Sequence, residues 1–404
     1  MNPIYQTYTQ ALKRLKDADQ LRSFKQIDYR HTKIITYKNT PCLNLSSNDY
    51  LGLATDEALC REFYGAVNAI SSRSGNSDLI NQYGLGSSSS RLLTGNSILY
   101  ETLENQICKW YGVDEAALIF NSGYHANLGV ISALAGKNDL ILSDSLNHAS
   151  IIDGIRLSKA RCMVFPHNDT GRLEALLEQN RARFENVLII TESLFSMDGD
   201  RADLETLVKL KNKYKALLYI DEAHSAGVFG PQGQGLCYQA GLCDQVDILL
   251  GTMGKALASH GAYILTRPLI KSYLINTARS LIFSTSLPPV AIRWNLFILE
   301  RMAEFDKKRK HLQAISIKFR NALTHAGLTI AGDSHIIPVI TCDNKKTVEV
   351  SDLLFDNGFL AFPIRPPSVP VHQSRIRFSM TSDICFEDIA RIPALIRQHM
   401  IKAA

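Results

Sequence analysis

From about residue 43 to residue 290 the chain repeats one pattern, a short apolar or β-branched run followed by a longer segment of helical periodicity. The runs are Ala116 to Phe120, Leu140 to Ser143, Val187 to Thr191, Leu217 to Ile220, Ile248 to Gly251 and Ala262 to Leu265. Strands covered on both faces read as near-continuous apolar stretches, and their alternation with helices predicts an α/β fold built on a mostly parallel sheet. Ligand groups in such sheets gather beyond the carboxyl ends of the strands. The polar residues that follow each run are therefore the place to look for chemistry.

Two regions flank this repeat. Residues 1–42 predict an arm, an amphipathic helix carrying Leu12, Leu15 and Leu21 and then a short polar strand-like stretch. After Pro288-Pro289 a helical segment runs to about Gly327, and strand patterns follow at His335 to Ile340 and Arg375 to Met380. The expected division is an arm over 1–42, a large domain over 43–290 and a smaller α/β domain over 291–404. A chain of 404 residues is long enough for two cores.

Charge and cysteine content exclude several classes. The formal net charge is only +5, which gives no nucleic-acid footprint, and the one dense basic run, Lys307-Lys308-Arg309-Lys310, is expected to be a solvated helix face. Neither a secretory leader nor a bilayer-spanning apolar stretch is evident, so a cytoplasmic location and no membrane partner are expected. Eight cysteines lie scattered without a CxxC pair or metal-ligand spacing, which predicts reduced thiols and no metal site. The chain also lacks a GxxxxGK[ST] loop, and no GxGxxG turn follows the first strand, which weighs against an ATPase and a dinucleotide-dependent oxidoreductase.

Four stretches carry candidate chemistry. Val246 to Gly251 is an apolar strand that runs through Thr252-Met253-Gly254 to Lys255. A Schiff-base lysine must be shielded enough to lose its proton and free enough to reach an aldehyde, and this placement suits both. The strand Leu217 to Ile220 ends in Asp221, with His224 three residues on. An acid there can keep a pyridinium nitrogen protonated, although a helix-capping role for Asp221 with His224 packed beneath fits the same residues. Ser122, Gly123 and Tyr124 open a helix after the strand Ala116 to Phe120, where backbone N–H groups attract a phosphate. His148, in Asp144 to Ser150 after another strand, offers an aromatic plate for a planar ring.

In this order the four stretches resemble the α-oxoamine synthases of the fold-type I pyridoxal-phosphate enzymes, and most closely the biotin-pathway branch. The resemblance covers nearly the whole chain, from Ser47-Asn48-Asp49-Tyr50-Leu51-Gly52-Leu53 to Ile364-Arg365-Pro366-Pro367-Ser368-Val369-Pro370. Between these lie Gly84 to Gly95, His148-Ala149-Ser150, His167-Asn168-Asp169, Thr191-Glu192, Ser196-Met197-Asp198-Gly199-Asp200 and Phe283-Ser284-Thr285. The chain departs from the branch in the unbroken serines Ser87 to Ser90, in Leu257 to Gly261, and in Ser368, where threonine is usual.

The resemblance implies a large domain with a seven-stranded sheet, a homodimer with its active site between subunits, and pyridoxal 5'-phosphate as cofactor. It makes Lys255 the residue joined to the cofactor and the acid/base for the substrate Cα proton. Asp221 then pairs with the pyridine nitrogen, His148 stacks on the ring, and Ser196 and His224 stand near the phenolic oxygen. Thr252, with Gly123 and Tyr124, holds the phosphate, and Ser284 and Thr285 reach the partner's phosphate. Arg365 binds the amino-acid carboxylate, assisted by Asn48, while Arg22 and Ser368 fall on the substrate side.

The implied reaction joins L-alanine to a pimeloyl thioester, on coenzyme A or an acyl carrier protein, with loss of carbon dioxide. A sister α-oxoamine synthase that uses glycine or serine with another acyl-CoA stays open. A cofactor-binding protein without catalysis is disfavoured by the joint presence of Lys255, Asp221, His148 and Arg365.

Overall fold

The computed structural model describes residues 3–68, 82–114 and 116–402. Contacts divide the chain into two units, one of residues 1–55, 197–200 and 310–404, the other of residues 56–196 and 201–309. This is a different cut from the three-part division expected above, because it groups the N-terminal arm with the C-terminal segment.

In the first unit a helix over Pro3–Asp17 precedes strands β1 (Ile27–His31), β2 (Ile34–Tyr37) and β3 (Thr40–Asn44). The helix ends four residues before Leu21, which corrects the expectation that this leucine shares its face, and Leu12 and Leu15 are exposed.

The second unit is organised by seven strands: β4 (Ala116–Phe120), β5 (Leu140–Asp144), β6 (Arg161–Phe165), β7 (Val187–Glu192), β8 (Leu217–Asp221), β9 (Ile248–Thr252) and β10 (Ala262–Thr266). They form one sheet in the order β4-β10-β9-β8-β7-β5-β6. Strands β5 to β9 run parallel, and only β10 is reversed, antiparallel to both of its neighbours. The carboxyl ends of β4, β5, β7, β8 and β9 consequently share one edge.

Apolar side chains hold the sheet between helices. Ile141, Ile190, Tyr219, Leu250 and Ile264 are fully buried and pack with Ala126, Val130 and Ile131 of the helix Gly123–Leu134 and with Ile151 and Ile155 of the helix Ala149–Ser158. Each such aliphatic side chain contributes roughly 1.5–3 kcal/mol relative to exposure. The two helices approach closely because residue 154 is glycine: a Cβ there would stand 2.7 Å from the Asn127 carbonyl oxygen. That contact matters because Asn127 belongs to the site described below.

The remaining strands, β11 (Ile336–Cys342), β12 (Phe359–Leu360), β13 (Pro363–Ile364) and β14 (Ser374–Ser379), lie in the first unit. Strand β12 extends the sheet β1-β2-β3 by parallel pairing with β3, and β11-β14-β13 form an antiparallel sheet. Arg375 of β14 is buried and binds Asp198 Oδ1 at 2.5 Å, which ties the short segment 197–200 into this unit.

The basic run is not wholly solvated as expected. Arg309, in the first turn of the helix Asp306–His325, is buried because its guanidinium donates to the carbonyls of Met302 and Pro231, backbone acceptors outside that helix. No helix among the described residues is long and apolar enough to cross a membrane.

Candidate active site

The shared edge of strand ends opens into a cleft of about 150 Å³ lined by Gly123, Tyr124, Asn127, His148, Ser150, Glu192, Asp221, Ala223, His224, Thr252 and Lys255. Seven of the residues singled out from the sequence meet here. A larger groove, about 900 Å³, lies between the ends of the helices Gly123–Leu134 and Pro268–Thr277, but it gathers no comparable set of reactive groups.

Lysine and carboxylate enter the cleft on neighbouring strands. Asp221 closes β8, is buried, and accepts from Asn127 Nδ2 and the Ala223 N–H, each at 2.9 Å. It caps no helix, so the alternative raised from the sequence fails on geometry. Lys255 follows β9 through a turn, and its Nζ lies 2.7 Å from His224 Nε2. His224 is itself buried, which fixes the imidazole beside the amine.

Asn127 has every polar atom engaged. Its amide nitrogen also donates to Ser150 Oγ at 2.9 Å, and its oxygen accepts from the Tyr219 hydroxyl at 2.7 Å. Ser150 Oγ in turn lies 2.7 Å from His148 Nδ1, and the Ser150 N–H points at that same ring nitrogen. An Nδ1 that accepts leaves the other ring proton on Nε2, a tautomer assigned from the hydrogen-bond network. Burial lowers the His148 pKa, and Lys255 adds to that effect while Asp221 opposes it, so the ring is neutral at physiological pH.

The helix Gly123–Leu134 begins beside Thr252. Ser122 is its N-cap, and its hydroxyl accepts from the His125 N–H, so this side chain serves the helix and does not line the cleft. Thr252 is buried and donates to the Gly261 carbonyl. Tyr124 stands edge-on to His148, and its hydroxyl donates to Asp153.

Other expected residues lie elsewhere. Ser196 occupies the turn after β7 and is not among the cleft-lining residues. Within the same chain, Ser284 Oγ and the Thr285 carbonyl both accept from Asn121 Nδ2. The serine run packs against this segment: Ser87 Oγ donates to the Leu287 carbonyl, Ser90 bridges Thr285, and the Ser286 N–H donates to Ser89.

Arg22, Asn48, Arg365 and Ser368 belong to the first unit. Arg22 Nη2 donates to Ser368 Oγ at 2.9 Å, and Arg365 Nη1 donates to the Asp19 carbonyl. Asn48 Oδ1 accepts from the Tyr50 hydroxyl and from Nη1 and Nη2 of Arg377.

Sequence reasoning assigned no role to Asn127, Ser150, Glu192 or Arg377. Ser150 and Glu192 stood inside stretches already singled out, Asn127 lies three residues beyond Tyr124, and Glu192 ends a strand; Arg377, a charged residue at a buried strand position, gave its signal only as a break in an apolar run.

The aminotransferase class I and II family matches residues 40–391. The chain belongs to that family. Within it the chain is 44% identical, over 96% of its length and 97% of the relative's, to the 8-amino-7-oxononanoate synthase of Chlorobaculum parvum. Among solved structures it resembles the serine palmitoyltransferase of S. paucimobilis with a bound PLP–myriocin aldimine, with a TM-score of 0.87 and 25% identity, covering 98% of both chains. It also resembles the 8-amino-7-oxononanoate synthase of Francisella tularensis, with a TM-score of 0.76 and 27% identity, covering 90% of this chain and 98% of that one. The α-oxoamine synthase resemblance and the fold-type I architecture read from the sequence are thereby borne out.

Proposed function

We propose that this family member joins L-alanine to a pimeloyl thioester, releasing carbon dioxide and free thiol and forming 8-amino-7-oxononanoate for biotin biosynthesis. The observation that carries the reading is the cleft itself, where an amine, a buried carboxylate, a neutral imidazole and a helix N-terminus converge on strand ends. Identity of 44% to a named synthase over nearly the full length supports the particular reaction.

The cleft fits pyridoxal phosphate on its donor set. Lys255 would bind its aldehyde, Asp221 its ring nitrogen, and the helix start at Gly123 and Tyr124 with Thr252 its phosphate. Ser122 supports this assignment only indirectly, as the N-cap of that helix, and Ser284 and Thr285 would reach the phosphate from a second subunit of a homodimer; Ser196, outside the cleft lining, takes no part in it. When bound, the cofactor withdraws electrons from the bonds at the amino acid's Cα.

The protein's own groups then have separate tasks. Asp221, held by two N–H donors, keeps a negative charge where a protonated ring nitrogen needs one. His148, neutral and fixed through Ser150, offers a flat apolar face without a competing charge. Lys255 takes and returns the proton at the alanine Cα, and the hydrogen bond to His224 steadies its amine. Arg365 and Asn48 are assigned to recognition of the alanine carboxylate, the group later lost as carbon dioxide, and Arg22 and Ser368 to recognition of the acyl substrate. The reaction is assigned to the cytoplasm, with the acyl group delivered on coenzyme A or an acyl carrier protein.

Supplying the purified protein and pyridoxal phosphate with pimeloyl-CoA and, separately, L-alanine, glycine or L-serine tests the assignment by mass spectrometry. We expect the aminoketone from alanine. Turnover confined to glycine or serine would reassign the protein to a sister activity such as that of the serine palmitoyltransferases.

A further inference from the structure

Glu192 ends β7 and is the register partner of Asp221 at the end of β8. Both carboxyl groups are buried, and both line the cleft. Two negative charges on adjacent strand ends, away from water, repel strongly. Their surroundings differ in a way that resolves the conflict. Asp221 receives two N–H bonds, whereas Glu192 receives one, on Oε1 from the His148 backbone N–H at 2.7 Å.

The charged and titratable groups near Glu192 are Asp221, Asp144, Lys255 and His148. Burial and then Asp221 push its carboxyl well above the ordinary range, Asp144 adds to this, and Lys255 and the His148 N–H oppose it. His148 is meanwhile the N-cap residue of the helix Ala149–Ser158, with its ring held by Ser150. Its main chain is thus fixed by Glu192 and its ring by Ser150, and together these two bonds set where the imidazole points.

We propose that Glu192 is a positioning residue that, uncharged, anchors the His148 main chain so that the imidazole meets the cofactor ring, and leaves Asp221 as the anion serving the ring nitrogen. This inference rests on the reading of the cleft as a pyridoxal-phosphate site.

The test compares wild type, Glu192→Gln and Glu192→Ala by titrating the apo-protein with pyridoxal phosphate and recording the circular dichroism of the bound cofactor's visible band. Glutamine keeps a neutral acceptor for the His148 N–H, so affinity and dichroism should stay within about twofold of wild type. Alanine removes that acceptor; binding should weaken about tenfold, the equivalent of one lost buried hydrogen bond, and the dichroic signal should fall. Glutamine behaving like alanine would mean that the carboxylate charge is required, and alanine behaving like wild type would mean that the anchor is idle; either overturns the proposal. Wild-type protein that takes up no pyridoxal phosphate would remove the underlying reading instead.

Discussion

The side chains assigned to the cofactor and those assigned to the substrate are built on different principles. Asp221 and Thr252 end strands of the large sheet, and with Asn127 and His224 they are buried and each is hydrogen-bonded: Asp221 to Asn127, Asn127 also to Tyr219, His224 to Lys255 and Thr252 to the Gly261 carbonyl. Arg22, Arg365 and Ser368 sit in the arm and in the loop after β13, half-buried or exposed, and their bonds are to Ser368 and to the Asp19 carbonyl of the same two segments. A rigid, dry framework suits a cofactor whose ring must meet fixed groups at every turnover. Segments at the surface suit substrates that arrive and leave, and they leave room for specificity to vary between relatives.

The largest expected effect tests the buried side of this comparison. Lys255→Ala should lower turnover by about a thousandfold or more, since it removes both the covalent attachment and the Cα base. The visible band of the bound cofactor should vanish with it, as absorption spectra of protein incubated with pyridoxal phosphate would record. A variant that kept its colour and its turnover would place the chemistry at another amine and break the contrast.

Legibility in the sequence follows the same division. Six of the seven strands of the large sheet were readable because strands buried on both faces are apolar along their length. Each apolar run except Ala116 to Phe120 ends one residue before its strand does, and the residues beyond, Asp144, Glu192, Asp221, Thr252 and Thr266, are polar ends that an apolar pattern excludes. Strand β6 went unread because it is an edge strand with three of its five residues exposed, which blurs the run. Lys255, Asp221 and His148 were legible as a set, since their order along the chain matched a family. The role of Asn127 was not, because a helix residue that joins Ser150, Asp221 and Tyr219 depends on distances between three separate segments. Arg309 was misread for a related reason: its charge looked like solvent exposure, and its backbone acceptors come from other parts of the fold.

A smaller effect distinguishes buried polarity that serves stability from buried polarity that serves the cofactor. Glu222, next to Asp221, is fully buried, and burial raises its carboxyl to about 7 while the Cys237 N–H, donating to Oε1, opposes the shift. The carboxyl is walled in by Gly235, whose φ of +107° suits glycine and where a Cβ would lie 2.1 Å from Glu222 Oε2. The folded chain therefore binds a proton here that the unfolded chain, with an ordinary value near 4.5, has released. The resulting stabilisation is fully present below pH 4.5 and is lost as pH rises through about 7. Its size is about 3 kcal/mol by linkage. Glu222→Gln should remove this component, so the stability difference between variant and wild type in denaturant titrations should shift in the variant's favour from pH 5 to pH 8. A difference that stayed constant with pH would show that the carboxyl does not titrate in this window.

The smallest effect belongs to the surface side. Ser368 is exposed and its hydroxyl accepts one hydrogen bond from the exposed Arg22, so Ser368→Ala removes a contact that water can replace. Such a bond is worth about 0.5–1.5 kcal/mol when protected and less when solvated. We expect KM for the acyl thioester to rise by no more than about threefold, with kcat and the cofactor spectrum unchanged. Steady-state kinetics with each substrate varied in turn would check this. A fall in kcat of tenfold or more would show that this loop takes part in the chemical step, and the separation of a rigid cofactor framework from an adaptable substrate surface would then fail at the residue where it is most exposed to test.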